Sequence, residues 1–151
     1  SPKLFDAISQ RAIQKIDTFN PLSISNTVWA YAKLEHSSPP LFDAISDQAL
    51  KKIDMFNAQN IAKTVWAYAK IKHLSSSSPE LFDAMSQRAV DIIDTFNCQS
   101  ITNMVWAYAK VDHYSSSSLE LLFDAMSYEA MKKLDTFNSQ NIANTVWAYA
   151  K

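Results

Sequence analysis

The chain has 151 residues, a formal net charge of −1, 48% hydrophobic and 19% charged residues. That is enough apolar chain for one domain with a buried core, and it excludes a disordered protein or one coated in positive charge. Glycine is absent, although average usage of about 7% predicts roughly eleven. Tight primed hairpins, Gly-rich phosphate loops and dinucleotide fingerprints are therefore disfavoured. Cys98 is the single cysteine, which excludes an intrachain disulfide framework and fits a reducing, intracellular setting. No apolar run approaches the ~18 residues of a membrane span and residues 1–30 have no signal-peptide pattern, so no membrane partner is expected.

The first predicted helix opens at Ser1-Pro2 and carries Leu4, Phe5, Ile8, Ala12, Ile13, Ile16 and Phe19 at helical spacing. A serine N-cap followed by proline specifies such a start, because serine accepts an orphan amide and proline has none. A second helix opens at Asn20-Pro21 and carries Ile24, Val28, Trp29, Tyr31 and Ala32. The same pair then recurs three times. Phe42, Phe82 and Phe123 match Phe5, and Trp66, Trp106 and Trp147 match Trp29, with a Phe-to-Trp spacing of 24 in every copy. First helices start at Ser38-Pro39, Ser78-Pro79 and Ser118-Leu119, and second helices start at Asn57, Asn97 and Asn138. Successive Phe residues lie 37, 40 and 41 apart, so all length variation falls in serine-rich stretches (37–38, 75–78 and 115–118) that read as surface loops. Each helix is predicted at about 15 residues, or ~22 Å.

A unit this small cannot cover its own apolar face, so neighbouring units must complete the core. The predicted fold is all-α: one α-solenoid of four helix-turn-helix repeats, eight helices, with repeats at approximately 1–37, 38–77, 78–117 and 118–151. Neither end carries a polar capping repeat, which predicts a piece of a longer array, monomeric or packed end to end.

Charge is segregated between the two kinds of helix. The four second helices carry Lys33, Lys63, Lys70, Lys110 and Lys151 and no acid, leaving −6 on first helices and loops against +5. In copy one, Ser23, Asn26, Ala30 and Lys33 fall on one stripe at i, i+3, i+7 and i+10. Its equivalents are Asn60, Lys63, Ala67 and Lys70, then Ser100, Asn103, Ala107 and Lys110, then Asn141, Asn144, Ala148 and Lys151. Hydroxyls and amides at these positions suit base edges, lysines suit phosphates, and the small alanine leaves room for a ligand. Ser23, Asn26, Asn60, Lys63, Ser100, Asn103, Asn141 and Asn144 are accordingly the candidate base-sensing residues. Lys33, Lys70, Lys110 and Lys151 are the candidate phosphate contacts. Stacked at roughly 10 Å, four such stripes make one polar, positive track. First helices carry the opposite stripe, for example Asp6, Gln10, Gln14 and Asp17, expected on the convex surface.

Structural roles compete for some of these residues. A lysine in the last turn also complements the helix dipole, and the asparagines also suit caps and interhelix bonds. The four tryptophans read as core, while the tyrosines suit core or groove edge equally. Asp17, Asp54, Asp94 and Asp135 are expected to bond the amides opening the next helix, or a neighbouring repeat. His36, His73 and His113 read as C-caps in place of glycine, too far apart for a shared metal. Cys98 reads as a neutral filler. No copy holds a distinctive nucleophile, base and orienter, so neither catalysis nor a cofactor or metal is expected.

The segment Asn-Ala-Gln-Asn-Ile-Ala-Lys-Thr-Val-Trp-Ala-Tyr-Ala-Lys (57–70), preceded by Ser-Pro-Pro-Leu-Phe (38–42), resembles the octotricopeptide repeat. The resemblance covers essentially the whole chain, departing from it in the longer serine loops and at Leu22, where the other copies have Gln59, Gln99 and Gln140. It implies a superhelix of the pentatricopeptide and tetratricopeptide plan that binds single-stranded RNA in a sequence-specific manner, about one base per repeat. It also implies a role in RNA processing, stability or translation in a chloroplast or mitochondrion. The alternative is a protein-interaction scaffold holding an acidic or amphipathic peptide in the same groove.

Overall fold

The computed structural model describes residues 1–72, 78–111 and 116–151, and among them the regular structure is all helix, with no strand. Eight α-helices run in chain order: α1 Pro2–Gln14, α2 Pro21–Lys33, α3 Pro39–Lys51, α4 Ala58–Ile71, α5 Ser78–Asp91, α6 Cys98–Lys110, α7 Ser116–Lys132 and α8 Ser139–Ala150. They form four hairpins stacked as an α-solenoid. Each first helix (α1, α3, α5, α7) is followed by a single 3-10 turn, at Ile16–Thr18, Ile53–Met55, Ile93–Thr95 and Leu134–Thr136. In three repeats a threonine closes that turn, its hydroxyl donating to the carbonyl three residues back at 2.6 Å (Thr18, Thr95, Thr136). An extended phenylalanine then leads into the asparagine that opens the second helix.

Those asparagines fix the second helices. Asn20, Asn57, Asn97 and Asn138 each accept the amide three residues on at 2.8 Å. In three repeats the favour is returned, with Ser23, Asn60 or Asn141 accepting the N-cap amide, a reciprocal cap that satisfies two orphan donors. The first helices begin less tightly. Ser1 and Ser38 stand at the N-cap, but their side chains make no cap bond, so proline's preset φ carries those starts. Helix α5 begins one residue, and α7 three residues, before the expected position. Helix α2 ends in a Schellman arrangement, with His36 N–H on the Tyr31 carbonyl and Glu35 N–H on that of Ala32. Glu35, not His36, takes the left-handed conformation (φ 54°), as does Lys72 after α4 (φ 58°). His36 instead packs its ring on Phe5 and Tyr31 and lies 3.3 Å from Asp6. His73 and His113 lie outside the described residues.

Within each hairpin the two helices are joined by one repeated bond. The hydroxyls of Tyr31, Tyr68, Tyr108 and Tyr149 donate to the carbonyls of Phe5, Phe42, Phe82 and Phe123, at 2.5–3.0 Å. In the first two repeats Ser9 and Ser46 reach the same carbonyl and lie 2.8 Å from the tyrosine oxygen. Tyr31, Tyr68 and Tyr108 are buried, so these tyrosines belong to the core and not to a groove edge. Desolvation by burial raises the Tyr68 hydroxyl far above its ordinary range. For Tyr149, burial and then the Asp124 charge push it up to about 12.

Between hairpins, the link is made by main-chain oxygens exposed at the 3-10 turns. Gln48 Nε2 and Lys52 Nζ both reach the carbonyls of Asp17 and Phe19. Arg88 Nε donates to Phe56 O at 3.1 Å, and Lys133 Nζ to the carbonyls of Asp94 and Phe96. Asp17 and Asp94 meet the neighbouring repeat through backbone oxygen, while the carboxylates of all four turn aspartates stay exposed. The second helices make much the more extensive contact with one another, α2 on α4, α4 on α6 and α6 on α8, whereas first helices touch sparingly. Ile24, Val28, Ile61, Val65, Ile101 and Val105 fill one continuous core with the phenylalanines of the first helices.

Removing one rung of the tyrosine ladder tests its energetic role. Tyr68→Phe is expected to lower unfolding free energy by about 1 kcal/mol, the usual net worth of a hydrogen bond. An unfolded tyrosine ionises near pH 10, whereas Tyr68 when folded holds its proton to higher pH. Its contribution is thus complete below pH 10 and lost as pH rises above it. Urea unfolding at neutral pH and above pH 10 should show a shallower alkaline loss in the variant.

Candidate functional site

The four second helices share one cavity. A hollow of about 380 Å³ is lined by Trp29 and Lys33 of the first hairpin, Trp66 of the second, Gln99 and Asn103 of the third, and Asn138, Gln140, Asn141 and Asn144 of the fourth. All of its lining comes from second helices or their caps and none of it is a carboxylate. Close packing of α2, α4, α6 and α8 makes this the inner, concave side. The outer side carries the acids: Asp6, Asp43, Asp47, Asp83 and Asp91 are exposed on the first helices. Charge segregation in the sequence is therefore segregation between two surfaces.

The lysines are brought together in a way their spacing alone did not specify. Lys33 stands over the Trp29 ring at 5.4 Å, Lys110 over Trp106 at 5.6 Å and Lys151 over Trp147 at 5.5 Å, each one turn after its tryptophan. Lys63 reaches back across the repeat boundary to the Trp29 ring at 5.6 Å and to Asn26 Oδ1 at 3.4 Å. Lys70 is exposed in the last turn of α4. At solvent-accessible sites each such cation–π contact contributes about 0.5–1 kcal/mol, less than the roughly 1.5–3 of a hydrogen bond between charged groups.

The tryptophans border this surface, and Trp66 and Trp106 also pack against the core, so their assignment to the core holds in part. Trp29 is 38% and Trp147 42% exposed; Trp66 and Trp106 are partly buried, with ring centroids 6.2 Å apart and planes 34° from parallel. The spacing contained the signal. Trp29 lies three residues after Asn26 and four before Lys33, on the polar stripe itself, and Trp66, Trp106 and Trp147 repeat that register. Alanine is the converse case. Ala67, Ala107 and Ala148 are buried, so their small size serves the close approach of neighbouring second helices and leaves no space for a ligand.

The eight polar candidates divide by turn. Those of the first turn are held by the helix starts: Ser23 closes the α2 cap, and Asn60, Ser100 and Asn141 are only 7%, 5% and 3% exposed. Asn60 and Asn141 are tied further to the preceding hairpin, through Ser25 Oγ and Gln99 Oε1 at 3.4 Å. Asn141 still borders the cavity. Those of the second turn, Asn26, Lys63, Asn103 and Asn144, sit at the surface of the trough. Asn103 accepts a bond from Gln99 at 2.9 Å. Gln99 and Gln140 enter the lining although the stripe at i, i+3, i+7 omits them; they stand two residues after the N-cap asparagines, in the first turn of their helices. Among the described residues no group of three or more His, Cys, Asp or Glu could hold a metal.

Stacked hairpins whose second helices alone line a lysine-edged, indole-bearing trough define an α-solenoid of the helical-repeat class. Across residues 2–151 the chain matches the family described as RNA-editing substrate-binding complex 6 protein, and it belongs to that family. This match does not show the octotricopeptide family that the repeat motif resembles. No match was found among curated proteins. Among the described residues, no helix is long and apolar enough to cross a membrane.

Stability measurements separate the two groups of asparagines. Asn60→Ala removes a buried acceptor from the α4 start and should cost about 1 kcal/mol in urea unfolding. Asn103→Ala, at the surface, should stay within about 0.5 kcal/mol of the parent chain.

Proposed function

We propose that this chain binds single-stranded RNA along the trough formed by its second helices. The observation that carries the reading is the single cavity lined from all four hairpins by lysine, indole and amide groups without a carboxylate. A ligand there meets positive charge and hydrogen-bonding groups on one side, while the acids face the opposite surface. Membership of a family named for an RNA-editing substrate-binding complex supports a nucleic-acid ligand and protein partners alike.

In this reading Lys33, Lys70, Lys110 and Lys151 meet phosphates, and Asn26, Lys63, Asn103 and Asn144 meet base edges, one residue per repeat in the manner of other helical-repeat readers. Ser23, Asn60 and Asn141 act one step back, by fixing the helix starts on which those residues stand, and Ser100 is buried at the equivalent place. The protein holds RNA and leaves chemistry to other components of its complex.

Salt titration of binding to a random single-stranded pool, read by fluorescence anisotropy, tests this. Replacing Lys33, Lys70 and Lys110 by alanine should weaken binding and reduce the log–log salt slope by about 0.7 per lost phosphate contact. An unchanged affinity and slope would remove the trough from the account. Binding of an acidic peptide, with no binding of RNA at low salt, would establish the scaffold reading instead. Selection from the same pool with Asn103→Ala should alter preference at one base position more than total affinity.

A further inference from the structure

Four large apolar rings on the polar, acid-free face of the solenoid need an explanation beyond packing. Tryptophan is the costliest side chain to leave in water, and smaller apolar residues would cover the same core. Here all four rings follow the register of the ligand-facing stripe, and Trp29 and Trp66 line the cavity itself. Lysine ammonium groups stand over three of them at 5.4–5.6 Å, with a second, Lys63, over Trp29 from the neighbouring hairpin. Trp66 and Trp106 present similarly oriented planes in adjacent hairpins, 34° from parallel.

We propose that the indoles of Trp29, Trp66, Trp106 and Trp147 are stacking platforms for successive bases, and that at Trp29, Trp106 and Trp147 the base displaces the lysine resting over the ring toward the adjoining phosphate. This rests on the RNA reading above and specifies how that RNA is held. The exchange is favourable on both sides. The ammonium trades a weak contact with the ring for a full negative charge, and the ring trades a hydrated cation for a flat π surface. In the free protein the lysines keep those three rings covered and remain tethered within reach of an incoming backbone. Stacking also tolerates any base, so platforms supply affinity while Asn26, Lys63, Asn103 and Asn144 supply preference.

The test compares a uridine oligonucleotide with an abasic ribose-phosphate oligomer of equal length on the unmodified chain, following tryptophan fluorescence and affinity across a salt series. The expected result is quenching by the uridine strand alone and at least tenfold tighter binding than for the abasic strand, with the steeper salt slope for the uridine strand because only a stacked base moves the ring-bound lysines onto phosphates. Trp29→Leu should lose between about fivefold and a hundredfold in affinity for the uridine strand and little for the abasic one. Trp29→Phe should recover most of that loss, and thermal melts of both variants confirm folding. Equal affinity for the two strands without quenching would overturn the stacking proposal and leave the RNA reading standing. Failure of both strands to bind would overturn the RNA reading and this proposal with it.

Discussion

The architecture depends on how closely the second helices approach one another. Buried Ala67, Ala107 and Ala148 remove the side-chain bulk that would hold α4, α6 and α8 apart. First helices touch one another less. An array packed more tightly on one layer than the other must curve toward the tight layer, and here that layer carries the lysines, amides and indoles. One cavity lined from all four hairpins is the consequence. The binding surface therefore originates in helix packing and not in any single repeat.

Two backbone devices hold that packing in register. The tyrosine-to-phenylalanine carbonyl bond, spanning 26 residues each time, sets the angle between helices of a hairpin. The side chains of Gln48, Lys52, Arg88 and Lys133 capture carbonyls at the preceding 3-10 turn and set the offset between hairpins. Around Lys133 the charge is balanced by Glu129, 3.0 Å away and buried. Three chemically different side chains, Gln48, Arg88 and Glu129, serve at one repeat position. What is repeated is the exposed carbonyl: Gln48 and Arg88 donate to it directly, whereas Glu129 accepts from Lys133, which donates to the carbonyl in its place.

Much of the fold was legible in the residues. The constant Phe-to-Trp interval and the asparagine starts gave the repeat and its hairpins, because periodicity and capping are local properties. The acid-free second helices gave the two opposed surfaces. Less visible were features that depend on which neighbour lies across an interface. Tryptophan's bulk suggested core, although its offsets from Asn26 and Lys33 placed it on the polar stripe. Alanine at the next position suggested space for a ligand, and the space went to an adjacent helix. First-turn serine and asparagine suit a ligand and a cap equally well by composition, and the cap prevails because the orphan amides are always present. The carbonyl-capturing contacts left no pattern to read, since backbone oxygen has no sequence signature.

The account joins these parts into one path for a single strand, crossing α2, α4, α6 and α8 on the inner side. Ultraviolet crosslinking of the chain to single-stranded RNA, with crosslinked peptides mapped by mass spectrometry, measures that path directly. Adducts confined to the second helices, centred on the tryptophan-bearing turns, are the predicted outcome. Adducts concentrated on the acidic faces of α1, α3, α5 and α7 would contradict it.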